Sequence, residues 1–269
     1  MSHLNLKKKK VFLLYKNNFK GVVLIFFLLG KALAHCVRVV FTPEKRITRP
    51  VQDFFIRKFA HIILGITGTK VSIFYPDDLT QKEVNQLSSK TEGPYLYMSN
   101  HLSLIDIPAF IVSIPQSLRM VAKQELGKIP VFGKAIKKCG VILINRKNRK
   151  RAIAQLESSK GLISAGPSLW MAPEGTRNQL YNDMHPLGNF KRGGFYLAID
   201  LGIPIVPFWI EGTQYVIPAK SMKINKEIET SVIFGRPIET RNMTKDNVNE
   251  LITEVRNEML RLRGLLPPL

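Results

Sequence analysis

The run PYLYMSNHLSLID, residues 94–106, decides the fold class of this chain. Its first five residues are apolar without interruption, which is typical of a strand buried on both faces of a sheet. We expect this strand to end at Ser99-Asn100. The residues after His101 predict a turn that enters a helix, with Ser103 as its N-cap. A strand that leads directly into a helix is a building unit of α/β folds.

The same alternation of strands and helices continues along the chain. Strands are also expected at 69–75, 119–122, 140–145, 168–172, 203–210 and 230–234, and helices at 103–113, 129–139, 147–165, 191–201 and 245–262. The chain contains no internal repeat and no long linker. Residues 67–269 are therefore predicted to form one α/β domain, in which helices flank a central, mostly buried sheet.

His101 and Asp106 are the candidate catalytic pair. A histidine is a good base near neutral pH, and a carboxylate bonded to the far ring nitrogen fixes its tautomer and stabilises the imidazolium. Asp106 falls in the first turn of the expected helix, from which it can reach back to His101. An isolated His and Asp at this spacing more often form a helix cap, so the assignment depends on further motifs.

A second run, PEGTR at residues 173–177, carries the chemistry of anion binding. Arg177, and Arg146 after an apolar strand, carry guanidinium groups that pair with phosphate oxygens in a fork. Gly175 lets the backbone approach a ligand, Thr176 can donate a hydrogen bond, and Glu174 can orient Arg177 or another basic side chain. The alternative is a local salt bridge between Glu174 and Arg177.

Four motifs in this order resemble those of the lysophosphatidic acid acyltransferases, which are the 1-acylglycerol-3-phosphate O-acyltransferases of the glycerolipid acyltransferase superfamily. They are NHLSLID (100–106), GVILINR (140–146), PEGTR (173–177) and IPIVP (203–207), with FKRG (190–193) before the fourth. The resemblance covers about residues 68–235. Leu102, Asn145 and Ala172 stand where the family more usually has Gln, Asp and Phe. None of these differences replaces the candidate base, its carboxylate partner or a candidate phosphate ligand.

The resemblance implies transfer of an acyl chain from a thioester to the free sn-2 hydroxyl of 1-acylglycerol 3-phosphate, giving phosphatidic acid. His101, held by Asp106, would deprotonate the hydroxyl, and backbone amides near the strand-to-helix turn would stabilise the oxyanion. The substrate-binding residues implied are Asn100, Ser103, Lys123, Arg146, Glu174, Gly175, Thr176 and Arg177, among which Lys123, Arg146 and Arg177 receive the acceptor phosphate.

Three questions stay open at this level. The acceptor could be glycerol 3-phosphate or another lysolipid. The donor could be acyl-CoA or an acyl–acyl carrier protein, and either is a co-substrate, because no bound cofactor is expected. A non-enzymatic, membrane lipid-binding protein of the same fold is a third possibility, and it predicts that replacing His101 leaves function unchanged.

Charge and cysteine content limit the partners. The formal net charge is +20, and residues 119–151 hold eleven Lys or Arg against one acid, so an anionic partner is favoured. No nucleic-acid-binding signature accompanies this charge, so phosphorylated lipid, anionic headgroups and the acyl donor are the better candidates. Cys36 and Cys139 are far apart in sequence and exclude a disulfide framework, and no metal site is expected.

The N-terminal region, residues 1–66, is predicted to be a membrane-associated pair of basic, apolar helices. Residues 21–41 could just span a bilayer, or they could lie in one leaflet with the amphipathic stretch 51–64. A signal peptide cleaved after Ala34 is the rival interpretation. The lysines at 7–10 favour an inner-membrane location, with the catalytic domain on the cytoplasmic side.

Overall fold

The computed structural model describes residues 18–164, 166–178, 184–218 and 224–265, apart from the side chains of residues 18–28 and 149. The Lys7–Lys10 cluster lies outside this part of the chain. Seven strands form one sheet: β1 (Lys70–Phe74), β2 (Leu96–Ser99), β3 (Leu118–Lys123), β4 (Ile142–Ile144), β5 (Ser168–Met171), β6 (Ile205–Glu211) and β7 (Glu229–Phe234). The strands predicted from the apolar runs are thus confirmed, with ends that differ by one or two residues.

The strand order is β1-β7-β6-β2-β5-β3-β4, and β2 lies at the centre. Every neighbouring pair is parallel except β6 and β7, which are antiparallel. Strands β2 to β6 therefore deliver their carboxyl ends to one edge of the sheet. In open α/β sheets, this edge is where ligands bind.

Ten helices are present in the described residues: α1 (Asn18–Phe41), α2 (Arg49–Thr67), α3 (Gln81–Ser88), α4 (Asp106–Ser113), α5 (Phe132–Lys138), α6 (Arg149–Ser158), α7 (Lys160–Ser164), α8 (Gly193–Leu201), α9 (Thr213–Val216) and α10 (Val248–Leu265). The sheet separates two hydrophobic cores. One contains residues of α6, α8 and α10, and the other contains residues of α1, α2 and α4. Alternate residues of a strand enter opposite cores: Leu96 and Met98 face the first, and Tyr97 faces the second.

Two helix predictions need correction. The helix expected from Ser103 begins at Asp106, because the backbone amides of Leu102 and Ser103 turn inward to bond the Asp106 carboxylate. The single helix expected over 147–165 is divided into α6 and α7 at Ser159. The Ser159 hydroxyl donates to the Leu156 carbonyl at 2.6 Å, and such local bonds compete with regular helix geometry.

The N-terminal helices α1 and α2 contribute buried residues to the core on their side of the sheet, among them Val39, Phe55 and Ala60. A partly buried ion pair also joins α2 to β3, with 2.6 Å between Arg119 Nη1 and Asp53 Oδ1. Part of the positive charge counted over 119–151 is therefore neutralised inside the protein. No helix among the described residues is both long and apolar enough to cross a membrane. The domain boundary predicted after residue 66 falls in the last turn of α2.

Candidate active site

The sequence motifs meet at the carboxyl edge of the sheet. Residues 100–106 follow β2 and residues 173–177 follow β5, and these two strands are hydrogen-bonded neighbours. Arg146 follows β4, and Lys123 is the last residue of β3. Residues that are distant in sequence therefore come together because parallel strands end side by side.

His101 and Asp106 form a direct contact at this edge. The distance between His101 Nδ1 and Asp106 Oδ2 is 2.7 Å, the His101 side chain is 14% exposed, and the Asp106 side chain is fully buried. Because a carboxylate oxygen accepts the hydrogen bond, Nδ1 is the protonated nitrogen. Nε2 is then the ring nitrogen that can accept a proton, as a general base requires.

The Asp106 carboxylate has a full set of donors. Besides His101, its Oδ2 accepts the backbone amides of Leu102 at 2.7 Å and Ser103 at 2.9 Å. Its Oδ1 accepts the hydroxyl of Thr213, a fully buried residue of α9. Thr213 was not predicted, because it lies 107 positions from Asp106 and belongs to no motif. Only the return of the chain after β6 brings it to the site.

Two of the predicted substrate-binding residues, Asn100 and Ser103, have fully buried side chains that bond the protein itself. Asn100 Nδ2 donates to the Ile210 carbonyl at 2.7 Å, and Asn100 Oδ1 accepts the Ile210 amide at 2.8 Å. Ser103 Oγ accepts the Ile105 amide at 3.3 Å. This geometry supports a role in holding the loop around His101 rather than contact with a ligand.

Glu174 connects the loop around His101 to the segment that contains Gly188. Its Oε1 accepts the backbone amide of His101 at 3.2 Å, and its Oε2 accepts the amide of Gly188 at 2.8 Å. Burial raises the pKa of the Glu174 carboxyl, although the two amides act in the opposite direction. The alternative interpretation, a local salt bridge between Glu174 and Arg177, is not observed, since Glu174 is buried and Arg177 is exposed.

An open cleft of about 590 Å³ lies beside this carboxylate. Its lining includes apolar residues from α6, α8 and the strand ends, together with the three cations Arg146, Lys191 and Arg192. Glu174, Gly175 and Thr176 also line it. The cleft thus combines an apolar interior with a positively charged border.

Gly175 is the point that the cations approach. Arg146 Nη1 donates to the Gly175 carbonyl at 2.7 Å. Gly175 has φ of +73°, and a Cβ added there would lie 3.4 Å from Lys191 Cγ. A side chain at this position would be strained by the left-handed backbone, although its Cβ would meet Lys191 only at ordinary van der Waals distance.

Arg177, Thr176 and Lys123 are exposed at the same edge. Arg177 is one residue from Asn178, whose amide donates to the His101 carbonyl at 2.7 Å. The guanidinium-bearing residue is therefore tethered close to the candidate base. Within the described part of the chain, Arg177 forms no ion pair with a carboxylate.

No group of three or more His, Cys, Asp or Glu side chains among the described residues could hold a metal ion. Cys36 and Cys139 are buried free thiols, and they lie in the same hydrophobic core although they are far apart in sequence. Burial raises the pKa of the Cys139 thiol to about 11, so this cysteine is not activated as a nucleophile.

Known acyltransferases are similar to this chain in sequence and in fold. A family model described as Acyltransferase matches residues 80–211. The chain is 33% identical over 209 residues to the 1-acyl-sn-glycerol-3-phosphate acyltransferase BAT2, chloroplastic, of Brassica napus, a match that covers 73% of this chain and 58% of that protein. It is 30% identical over 207 residues to the 1-acyl-sn-glycerol-3-phosphate acyltransferase of Saccharomyces cerevisiae, covering 76% of this chain and 63% of the relative.

The fold is similar to the crystal structure of the 1-acyl-sn-glycerophosphate (LPA) acyltransferase PlsC from Thermotoga maritima. The TM-score is 0.69 at 19% identity, and the alignment covers 93% of this chain and 98% of PlsC. The chain spans 58% and 63% of the length of the two curated relatives. From its motifs, its sheet and these similarities, the chain belongs to the acyltransferase family that includes the 1-acyl-sn-glycerol-3-phosphate acyltransferases.

Proposed function

We propose that this protein transfers an acyl chain from an acyl thioester to the sn-2 hydroxyl of 1-acylglycerol 3-phosphate, producing phosphatidic acid. The observation that carries the proposal is the 2.7 Å contact between His101 Nδ1 and Asp106 Oδ2, formed at the sheet edge that also carries the run 173–177 with Arg177. The names of the curated relatives support the same acceptor and product. No cofactor is needed, because the thioester itself is the second substrate.

The proposed reaction needs no acyl-enzyme. His101 Nε2 takes the proton of the acceptor hydroxyl while that oxygen attacks the thioester carbonyl. The tetrahedral intermediate then collapses and releases the thiolate, which takes the proton back from the imidazolium. The substrate hydroxyl occupies the place that a serine has in a hydrolase triad.

The source of oxyanion stabilisation differs from the expectation. The backbone amides of His101, Leu102 and Ser103 all donate to Glu174 or Asp106. These three amides of the strand-to-helix turn are therefore not available to a developing negative charge. The exposed hydroxyl of Thr176 is the better candidate in the described residues, because it lies at the same edge and lines the cleft.

The acceptor phosphate is assigned to Arg177, with Lys123 and Arg146 nearby. In 1-acylglycerol 3-phosphate the phosphate is carried by the carbon next to the reacting one. Its binding group must therefore lie close to the base, and the tether between Asn178 and His101 places Arg177 there.

Replacing Arg177 with Ala should raise the acceptor KM about tenfold, the loss expected for one charge-assisted hydrogen bond in a partly exposed position. The donor KM should stay within about twofold of the wild-type value, since the donor does not use this group. The exposed Arg241 supplies a matched control, Arg241→Ala. Equal changes in both KM values would reject the assignment.

The first experiment is acyl transfer by the purified protein in detergent. Labelled 1-acylglycerol 3-phosphate is supplied with acyl-CoA and acyl carrier protein donors in parallel, and His101→Ala is the control. Glycerol 3-phosphate, a lysophospholipid with a blocked phosphate and a monoacylglycerol complete the acceptor panel. Phosphatidic acid should form only with the intact base. A monoacylglycerol that reacts as fast as its phosphate ester would contradict the proposed acceptor.

We also propose that α1 rests on the inner membrane, with the active site on the cytoplasmic side. Large apolar side chains on α1 are exposed at four-residue spacing: Leu29 (57%), Leu33 (51%), Val37 (36%) and Phe41 (80%). This spacing places them on one face of the helix. Such a face suits a helix lying in the membrane interface.

The double variant Leu33→Glu and Phe41→Glu should reduce sedimentation with phosphatidylglycerol-containing vesicles at least about tenfold, because each change removes buried apolar area and adds like-signed charge. Ile73→Glu, on the exposed strand β1, is the control. Unchanged sedimentation of the double variant would exclude this face as the contact.

A further inference from the structure

One motif found in the sequence has no part in the reaction described above. The run FKRG, residues 190–193, precedes α8, and its residues Phe190, Lys191, Arg192 and Gly193 all line the cleft of about 590 Å³. Lys191 and Arg192 are exposed, and neither forms an ion pair with a carboxylate within the described ranges. Two adjacent exposed cations at the border of a partly apolar cleft favour an anionic ligand.

The position of Lys191 is fixed by the backbone. Its amide donates to the Pro173 carbonyl at 2.7 Å, which attaches the run to the turn after β5. Its side chain then passes Gly175, whose carbonyl is bonded by Arg146. Lys191 and Arg146 therefore approach the same turn, with Arg192 one residue further along the cleft wall. Lys191 and Arg192, which both line the cleft, are the cationic pair available to a phosphate, while Arg146 is bonded to the Gly175 carbonyl.

The cleft is separated from the base by Glu174. His101 does not line the cleft, and the Glu174 carboxylate lies between the His101 amide and the Gly188 amide. A phosphate bound by Lys191 and Arg192 is consequently held apart from the reacting hydroxyl. The acceptor phosphate, one carbon from that hydroxyl, is better matched to Arg177.

The acyl donor has the opposite requirement. In both acyl-CoA and an acyl carrier protein, a flexible pantetheine arm separates the thioester from a phosphate. The reacting carbonyl and this phosphate must therefore occupy well-separated positions. A cleft that Glu174 separates from His101, and that is lined by Lys191 and Arg192, satisfies that requirement.

We propose that Lys191 and Arg192 bind the phosphate at the end of the donor's pantetheine arm. The proposal rests on the proposed function in taking an acyl thioester as the donor. It names a chemical group common to coenzyme A and to a carrier protein, so the same site serves either source. The acceptor does not use it.

Direct binding tests this without turnover. Isothermal titration calorimetry would measure coenzyme A, 4′-phosphopantetheine and pantetheine binding to the full-length protein and to Lys191→Gln/Arg192→Gln. The variant should lose at least about tenfold in affinity for both phosphorylated probes, the loss expected for one or more charge-assisted hydrogen bonds. Pantetheine, which lacks the phosphate, should bind both proteins equally.

The control is Lys82→Gln/Lys90→Gln, which removes the same charge from two exposed lysines in and after α3. Equal losses in this control would mean that net charge, and not the local site, attracts the probes, and would overturn the proposal. A loss confined to coenzyme A, with 4′-phosphopantetheine unaffected, would also overturn it, because the site would then recognise the nucleotide. Thermal unfolding shows whether both variants are folded, and Lys191→Arg/Arg192→Lys should keep most of the affinity.

Kinetics then separates this proposal from the proposed function. In the variant, the donor KM should rise at least about tenfold while the acceptor KM changes less than about twofold. A rise in the acceptor KM alone would assign the pair to the acceptor phosphate instead. If the wild-type protein forms no phosphatidic acid but binds 4′-phosphopantetheine through these residues, the proposed acceptor is wrong and the donor site stands.

Discussion

His101→Ala should lower kcat by about 10³- to 10⁴-fold and leave the fold intact, because it removes the described group that we propose takes the acceptor's proton. The measurement is the rate of phosphatidic acid formation together with thermal unfolding. The variant should unfold within a few degrees of the wild-type protein. The Asp106 carboxylate, although buried, keeps the Leu102, Ser103 and Thr213 donors when the imidazole is lost.

His61→Ala is the matched control, since His61 is an exposed histidine of α2 and lies outside the site. It should retain wild-type activity. Near-normal turnover by folded His101→Ala would reject the general-base scheme and would favour the non-enzymatic alternative.

Asp106→Asn should lower kcat/KM by about 10²- to 10³-fold, a loss set by the missing negative charge beside the imidazolium. The geometry should survive. The backbone amides of Leu102 and Ser103 both donate to Oδ2. The asparagine should therefore place its side-chain oxygen, which accepts hydrogen bonds, at the Oδ2 position next to His101. The new amide group then faces the Thr213 hydroxyl, which can rotate to accept it.

The two parts of this expectation are measured separately. Thermal unfolding should show little change for Asp106→Asn and a clear loss for Asp106→Ala, which leaves buried donors unpaired. Asp246→Asn, at an exposed position, controls for the loss of one negative charge. If Asp106→Asn is as inactive as His101→Ala, the carboxylate does more than stabilise charge.

The strands could be predicted because the sheet is buried on both faces. In a strand such as β6, six of seven residues are buried, so its sequence contains a continuous apolar run. The contact between His101 and Asp106 could also be predicted from the sequence, because both residues lie in one short turn. The short α9 and the capped, polar α3 carry no such apolar signal and were missed.

The remaining parts of the site depend on tertiary contacts. Thr213 contacts Asp106 because the chain that follows β6 returns to the end of β2. Asn100, which follows β2, bonds Ile210 of the neighbouring strand β6. The partners of Glu174 are backbone amides, which no side-chain pattern reveals. The burial of Arg119 on β3 was also hidden, because its acidic partner Asp53 lies 66 positions earlier, on helix α2.

Trp170 gives the site an intrinsic optical signal. Its ring meets the His101 ring edge-on, with 5.9 Å between centroids and an angle of 89°, and its Nε1 is bonded to Ser99. The chain has only two tryptophans, and the other, Trp209, is in the opposite hydrophobic core. A positive charge arriving on the imidazole therefore perturbs the fluorescence of one indole and leaves the other as an internal reference. Protonation of His101 should therefore be detectable through tryptophan fluorescence in the unlabelled protein.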